Sequence, residues 1–286
     1  MMIDIKKQLA TVSVLLAFLL SFPTHAAEPV SKPAPMVPVY QPKYFPFEAG
    51  ERAVYKAHWN GLPVATAEVR TTPITIEGKK FYQVRVEAQT SKVLDLIWKM
   101  RDTISSTFDA KALSPSRFVF NQRENSRVTD TDAKYNSTLK KWLVDRRQPG
   151  KKTRTYEFES QNTLDPITAV YLARSVDLRV GDKLRFNVFG GRNRYLLELA
   201  IQAKEPVELE SGKIVEAYKI VPKLTNLTKK GYASRMNDAA IWISADERRM
   251  PVKLTSKIYV GTVHMELVQD RAGIRSALTE QPQPSS

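Results

Sequence analysis

The 286-residue chain contains no cysteine. This absence excludes disulfide bonds, thiolate catalysis and every metal site or cluster that needs cysteine ligands. It also excludes a lipid anchor attached to a thiol. Histidine is scarce, because only His25, His58 and His264 occur. Beyond the first 20 residues no run approaches 18 apolar residues, so no spanning helix is predicted there.

What is present at the N-terminus is the pattern of a secretory signal peptide. Lys6 and Lys7 precede a mostly apolar run over residues 9–20, and small residues place a cleavage site between Ala26 and Ala27. The apolar run is shorter than the roughly 20 residues of a spanning helix, although an uncleaved membrane anchor is the alternative. We therefore expect a periplasmic protein that is soluble after cleavage and is not a lipoprotein.

Composition divides the rest of the chain. We expect a signal peptide over residues 1–26, a proline-rich linker over 27–44, a single β-rich domain over 45–270 and a disordered tail over 271–286. The formal net charge is +14 for the whole chain. A hydrophobic fraction of 42% provides enough apolar material for a large core, so a fold without disulfides is feasible.

Alternation of apolar and polar residues dominates the domain. Ala53, Tyr55 and Ala57 share one face of a predicted strand, and similar runs of 6–10 residues recur between turn signals such as Glu77-Gly78. About a dozen strands fit this pattern. We therefore predict a mostly β fold, either a curved antiparallel sheet or a barrel-like wrap, which limits exposed edges.

Two segments have helical spacing instead. Asp165 can cap a helix that begins at Pro166 and extends to about residue 175. Residues 91–99 have weaker helical spacing, with Ser91 as the predicted cap. We expect the helix over 166–175 to pack against the sheet.

Several stretches together resemble a family of exported bacterial proteins of unknown function, DUF3108. The similarity runs in order over residues 45–268 and lies mainly in 47–55, 59–61, 165–174, 179–182 and 241–254. The resemblance implies an exported, β-rich protein with no assigned activity. The closing strands are also similar in style to periplasmic lipoprotein carriers, which form a half-open barrel around an apolar cavity, but fold analogy does not fix function.

Catalytic chemistry finds little support in the sequence. His58 and His264 are the only histidines of the mature chain that could serve as a base, and both lie in predicted strands without a recognised motif. Asp130 and Asp132 share one strand face, but nothing places either carboxylate in an apolar pocket. We expect no catalytic residues, no cofactor and no metal site.

The four tryptophans are candidates for a cavity lining. Each lies in a different segment, and in a half-open sheet their rings could contact a ligand while the ring N–H orients it. The alternative is that all four are core residues. The set comprises Trp59, Trp98, Trp142 and Trp242.

Positive charge concentrates in one segment, which we call the basic cluster. Its seven members are expected around one hairpin tip, where they would attract an anionic partner; the alternative is a solvated basic surface without a partner. For an exported protein that partner would be an envelope lipid, lipopolysaccharide or a cell-wall polymer, with peripheral membrane contact, and not nucleic acid. The cluster comprises Lys140, Lys141, Arg146, Arg147, Lys151, Lys152 and Arg154.

Three functions are consistent with the sequence. The first is a non-enzymatic envelope protein that binds an apolar, amphipathic or anionic envelope component. The second is an interaction module that docks on a protein or on the cell wall. The third, with the least support, is a hydrolase of envelope glycans or esters.

Overall fold

The computed structural model describes residues 37–159, 162–191, 193–227, 238–257 and 261–271. The predicted signal peptide, the cleavage site at Ala26 and Ala27, most of the predicted linker and nearly all of the predicted tail lie outside the described residues. Among those described, no helix is long and apolar enough to cross a membrane.

Fifteen strands and two helices occur in the described ranges. The strands are β1 (Arg52–Trp59), β2 (Leu62–Ile76), β3 (Lys79–Thr90), β4 (Arg101–Asp109), β5 (Pro115–Glu124), β6 (Arg127–Asn136), β7 (Lys141–Arg147), β8 (Arg154–Glu159), β9 (Thr163–Leu164), β10 (Lys183–Gly190), β11 (Asn193–Glu208), β12 (Ile214–Asn226), β13 (Ala239–Ser244), β14 (Pro251–Lys257) and β15 (Thr262–Arg271). The helices are α1 (Lys92–Asp95) and α2 (Pro166–Arg174).

All fifteen strands belong to one sheet, in the order β8-β7-β6-β5-β4-β3-β2-β1-β15-β14-β13-β12-β11-β10-β9. Every neighbouring pair is antiparallel except β9 and β10. The chain therefore forms two meanders that join where β1 pairs with β15. The sheet is curved and open, which confirms the predicted curved antiparallel sheet and excludes a closed barrel.

Tight turns explain why consecutive strands are neighbours. Asn60 and Gly61, which link β1 to β2, have φ values of 48° and 84°, and a two-residue hairpin turn of this kind needs positive φ at both positions. Glu77 and Gly78 repeat the arrangement between β2 and β3. Because these connections are short, each strand lies beside the preceding one and pairs with it.

Alternation determines which face of each strand is buried. In β3, Tyr82, Val84 and Val86 are buried, whereas Gln83 and Arg85 between them are exposed. One hydrophobic cluster contains side chains from β3 to β7, from β10 to β13 and from α2. The two halves of the sheet thus face each other across α2, and we call the hollow between them the cup.

The two ends of the sheet approach each other without sharing backbone hydrogen bonds in the described residues. The ring centroid of Phe189 on β10 lies 4.6 Å from that of Trp142 on β7 and 5.5 Å from that of Phe158 on β8. Aromatic side chains therefore fill the seam of the cup where a closed barrel would have paired strands.

Both predicted helices form, and α1 is shorter than expected. Asp165 caps α2, because its Oδ1 accepts hydrogen bonds from the backbone N–H of Ile167 (2.9 Å) and of Thr168 (3.0 Å). Ser91 caps α1 in the same way through the N–H of Leu94 (3.3 Å). A single turn is all that α1 contains, so the helical spacing over 91–99 overestimates its length.

The end of the predicted linker contacts the fold. The ring of Tyr40 packs on that of Phe186 at 5.1 Å, and its hydroxyl accepts a hydrogen bond from the N–H of Arg185 (3.0 Å). The N–H of Lys43 donates to the carbonyl of Ser175 at the end of α2 (2.7 Å). The proline density over residues 27–44 predicts a linker, and it gives no sign that aromatic residues among the prolines pack against the fold.

Candidate functional site

A cavity of about 200 Å³ lies between α2 and the concave face of the sheet. Ile167, Val170 and Tyr171 line it from the helix. The sheet contributes mainly aliphatic side chains from strands on both sides of the cup, among them Val84, Val86, Leu197, Leu199, Ile220, Leu224, Ile241, Ile243 and Met265. Both the curvature of the sheet and the position of α2 are therefore needed to form the cavity.

The N-terminal end of α2 is fixed to β4. Asp165 is fully buried, and its Oδ2 accepts hydrogen bonds from the hydroxyls of Ser106 (2.7 Å) and Thr168 (2.6 Å). Burial raises the pKa of the Asp165 carboxyl, and its four hydrogen bonds oppose that rise. These bonds hold the first turn of the helix at a set distance from the sheet.

A buried ion pair fixes the C-terminal end. Arg174 is 2% exposed and Glu51 is 4% exposed. The guanidinium donates to both carboxylate oxygens at 3.0 Å, and it also donates to the carbonyls of Arg248 (3.0 Å) and Arg249 (3.1 Å). This bidentate geometry satisfies both charges, without which their burial would be strongly unfavourable.

A third contact lies between these two. The hydroxyl oxygen of Tyr171 is 2.6 Å from Oγ1 of Thr71 on β2. Because α2 is held at both ends and near its middle, it cannot easily collapse onto the sheet. The space below it is therefore a preformed cavity, a property of most small-molecule sites.

The wall of the cavity is apolar apart from a few groups. Glu51 and Arg174 line it as a mutually neutralised pair, and Lys253 lines it while its Nζ contacts Oε1 of Glu266 at 2.7 Å. Cavities of about 150 Å³ lined by aliphatic residues bind benzene, whereas whole drug-sized ligands need roughly 300–1,000 Å³. The volume thus suits one small apolar group or part of a hydrocarbon chain.

None of the four tryptophans lines this cavity. Trp142 is 1% exposed and packs between Tyr135 and Phe189, and Trp98 is buried in a second cluster beside α1. Trp59 and Trp242 are half-buried against that second cluster, and Nε1 of Trp242 donates to Glu205 (2.8 Å). The expectation that tryptophans line the cavity is wrong, because smaller aliphatic residues form its walls.

The basic cluster is divided by the hairpin that contains it. β7 and β8 do pair, but Lys141 lies opposite Glu159, at the far end from the turn, whereas Arg146 lies opposite Arg154 beside the turn. Lys141 and Arg146 are five positions apart on β7, a distance of about 17 Å along an extended strand. Lys140 and Lys141 therefore do not belong to the hairpin tip, contrary to expectation.

Three cations remain at the tip without a carboxylate partner in the described ranges. Lys151, Lys152 and Arg154 are exposed, and we call them the tip cations. By contrast, Arg147 contacts Asp145 at 3.5 Å and Lys141 contacts Glu157 at 3.0 Å. The positive surface at the tip is thus smaller than the sequence indicated, but it is not neutralised.

The histidines come together, although not in a recognisable catalytic arrangement. His58 and His264 are cross-strand neighbours with ring centroids 6.0 Å apart, and Nδ1 of His58 lies 2.8 Å from Oε1 of Glu210. Within the described residues no group of three or more potential ligands could hold a metal ion. Asp130 and Asp132 are each paired with an arginine.

Sequence reasoning missed one perturbed carboxyl group. Asp102 is buried in β4, where its Oδ1 accepts a hydrogen bond from the N–H of Arg123 (2.6 Å). Desolvation is the main reason why the pKa of Asp102 is raised to about 7, and the nearby Glu124 raises it further. The alternation of β4 marks position 102 as inward-facing, and that was the signal available.

Comparisons with known proteins return a family and no curated relative. No curated protein matches the chain. Three crystal structures have related shapes: a β-barrel-like DUF1849 protein from Brucella abortus (12% identity, TM-score 0.49), a candidate exported protein with a YmcC-like fold from Bacteroides fragilis (9%, 0.34) and a candidate lipoprotein from Parabacteroides distasonis (9%, 0.33). The alignments cover 79%, 80% and 81% of this chain and 98%, 99% and 100% of those chains, respectively.

These similarities are too low to transfer any property of those proteins to this one. The family comparison is stronger, because residues 54–268 match the model for DUF3108, described as a protein of unknown function. The chain therefore belongs to the DUF3108 family.

Proposed function

We propose that this chain is an exported, non-enzymatic envelope protein that holds an apolar group of an envelope molecule in the cavity beneath α2. The preformed apolar cavity is the observation that carries the proposal. Its position between a helix held at three points and a curved sheet favours reversible binding, because the ligand enters a space that already exists. The signal-peptide pattern supports an envelope location.

Burial of apolar surface would supply the affinity. Each methylene group removed from water contributes about 0.8 kcal/mol, so a chain of several methylenes in the cavity gains a few kcal/mol before the cost of association. The remainder of an amphipathic ligand would stay outside, since the cavity is too small for a whole lipid. An envelope lipid or an acylated envelope component has this chemistry.

Native mass spectrometry of the protein purified from cell envelopes tests the proposal. We expect the wild-type protein to carry a co-purified apolar molecule. Val170→Phe, at a half-buried position that lines the cavity, should reduce its occupancy because the added ring fills the space. Val180→Phe is the matched control, since Val180 is exposed and lies outside the cavity. Empty wild-type protein, or equal occupancy in both variants, would contradict the proposal.

A second candidate function is docking on an anionic envelope surface through the tip cations. Their lack of carboxylate partners within the described residues favours it, and anionic lipid is the partner we propose. We expect Lys151→Glu/Lys152→Glu to reduce co-sedimentation with anionic vesicles, and the binding of the wild-type protein should weaken with salt. Lys79→Glu/Lys80→Glu changes the charge equally at another exposed hairpin and should bind normally. Loss of binding in both variants would exclude a specific role for the tip.

A further inference from the structure

Among the described residues, the hydroxyl of Tyr55 is a polar group at the cavity that forms no hydrogen bond. Tyr55 lies in β1, is 7% exposed and lines the cavity. Within the described ranges its hydroxyl forms no hydrogen bond, whereas that of the neighbouring Tyr171 is bonded to Thr71. A tyrosine hydroxyl in mainly apolar surroundings gains from a hydrogen-bond partner, and a group bound in the cavity can supply one.

Its position distinguishes Tyr55 from other unpartnered tyrosines. The Tyr82 hydroxyl is a buried atom without a hydrogen-bond partner in the described residues, but Tyr82 does not line the cavity. Burial raises the pKa of Tyr55, so its phenol stays protonated and can donate as well as accept a hydrogen bond. A ligand in the cavity could therefore satisfy Tyr55 but not Tyr82.

The charges around the cavity indicate which ligand groups fit. Among the described residues, each charged side chain of the lining already has a counter-charge: Glu51 pairs with Arg174 at 3.0 Å, and Lys253 pairs with Glu266 at 2.7 Å. A charged ligand group would enter without a free counter-ion and would be penalised by desolvation. A neutral oxygen would incur no such penalty.

We propose that Tyr55 selects ligands in which an apolar chain carries an uncharged oxygen, such as an alcohol, an ester or an amide carbonyl. This inference rests on the proposed apolar binding in the cavity and names the chemical class of the ligand. Tyr55 is then a specificity-determining residue, and the aliphatic walls provide the shared apolar affinity.

Isothermal titration of the purified protein with three probes tests this assignment. Benzene has no polar group, 1-octanol carries a neutral hydroxyl, and octanoate at pH 8 carries a charge. The wild-type protein should bind 1-octanol more tightly than octanoate. Tyr55→Phe should weaken 1-octanol binding about three- to tenfold, the worth of one hydrogen bond, and leave benzene binding unchanged. Tyr156→Phe, on β8 outside the cavity, is the control and should change neither.

The outcomes separate this inference from the proposed function. If neither benzene nor 1-octanol binds, apolar binding fails, and the role of Tyr55 fails with it. If both bind and Tyr55→Phe weakens them equally or not at all, the cavity binds apolar ligands but Tyr55 does not select them. Tighter binding of octanoate than of 1-octanol would also overturn the assignment. An unchanged melting temperature of Tyr55→Phe checks that any loss arises from the missing hydroxyl and not from unfolding.

Discussion

Breaking the Arg174–Glu51 pair should be among the most destabilising single changes in this protein. The guanidinium donates two hydrogen bonds to the carboxylate at 3.0 Å. It donates three more to the backbone carbonyls of Arg248 (3.0 Å), Arg249 (3.1 Å) and Pro46 (3.4 Å). Arg174→Met removes all five and leaves Glu51 buried without its main counter-charge, since the guanidinium of Arg248 is 3.9 Å away. Removing one partner of a buried pair costs about 3–5 kcal/mol.

Urea denaturation followed by circular dichroism measures this loss. We expect Arg174→Met to lower the free energy of unfolding by about 3–5 kcal/mol. Arg174→Lys should be intermediate, since lysine keeps the charge but not the planar fork that matches a carboxylate. The double variant Glu51→Leu/Arg174→Met should recover much of the loss, because two apolar residues leave no buried charge.

An exposed pair provides the matched control. Arg85 and Glu87 are also in contact at 2.7 Å, but their side chains are 55% and 58% exposed. Arg85→Met should therefore change the free energy of unfolding by less than about 1 kcal/mol. If Arg174→Met were no more destabilising than Arg85→Met, the argument that this pair fixes α2 over the cavity would be refuted.

Three further predictions concern single positions. Asp102 should make the protein less stable as the pH rises from about 4 to 7, because the folded state retains a proton that the unfolded chain has lost. Urea titrations at several pH values should show a flatter dependence of the unfolding free energy on pH for Asp102→Asn, and an unchanged dependence would show that another group causes it. Ser106→Ala should lower the free energy of unfolding by about 1–2 kcal/mol, because it removes a buried hydrogen-bond donor to Asp165. Thermal melts can detect this loss, and an unchanged melting temperature would mean that the contact does not hold α2. Trp142→Ala should lower the free energy of unfolding by about 3–5 kcal/mol, because it leaves a cavity in the core. Ligand binding measured by titration should be unchanged, since Trp142 does not line the site, and loss of binding in folded protein would contradict this.

Local patterns account for the part of the fold that the sequence predicts. Alternation in β3 and the capping of α2 by Asp165 involve residues only a few positions apart, so the sequence contains the whole signal. The hairpin of the basic cluster was predicted for the same reason. Its register was not, and register decides that Lys141 and Arg146 lie at opposite ends.

The candidate site was harder to predict because its parts are distant in sequence. Glu51 and Arg174 are 123 positions apart and meet only through the curvature of fifteen strands. Tryptophan was the conspicuous choice for a ligand site, but a large ring such as that of Trp142 fills space rather than leaving it. No local pattern marks Tyr55, because its proposed role depends on a hydroxyl that forms no hydrogen bond within the described residues.

A crystal structure of the protein with 1-octanol would test the central claim most directly. The account predicts density for the chain beneath α2, between Ile167 and Ile220, with the hydroxyl oxygen within hydrogen-bond distance of Tyr55. A cavity that stays empty at saturating 1-octanol, or a chain bound elsewhere on the protein, would contradict it.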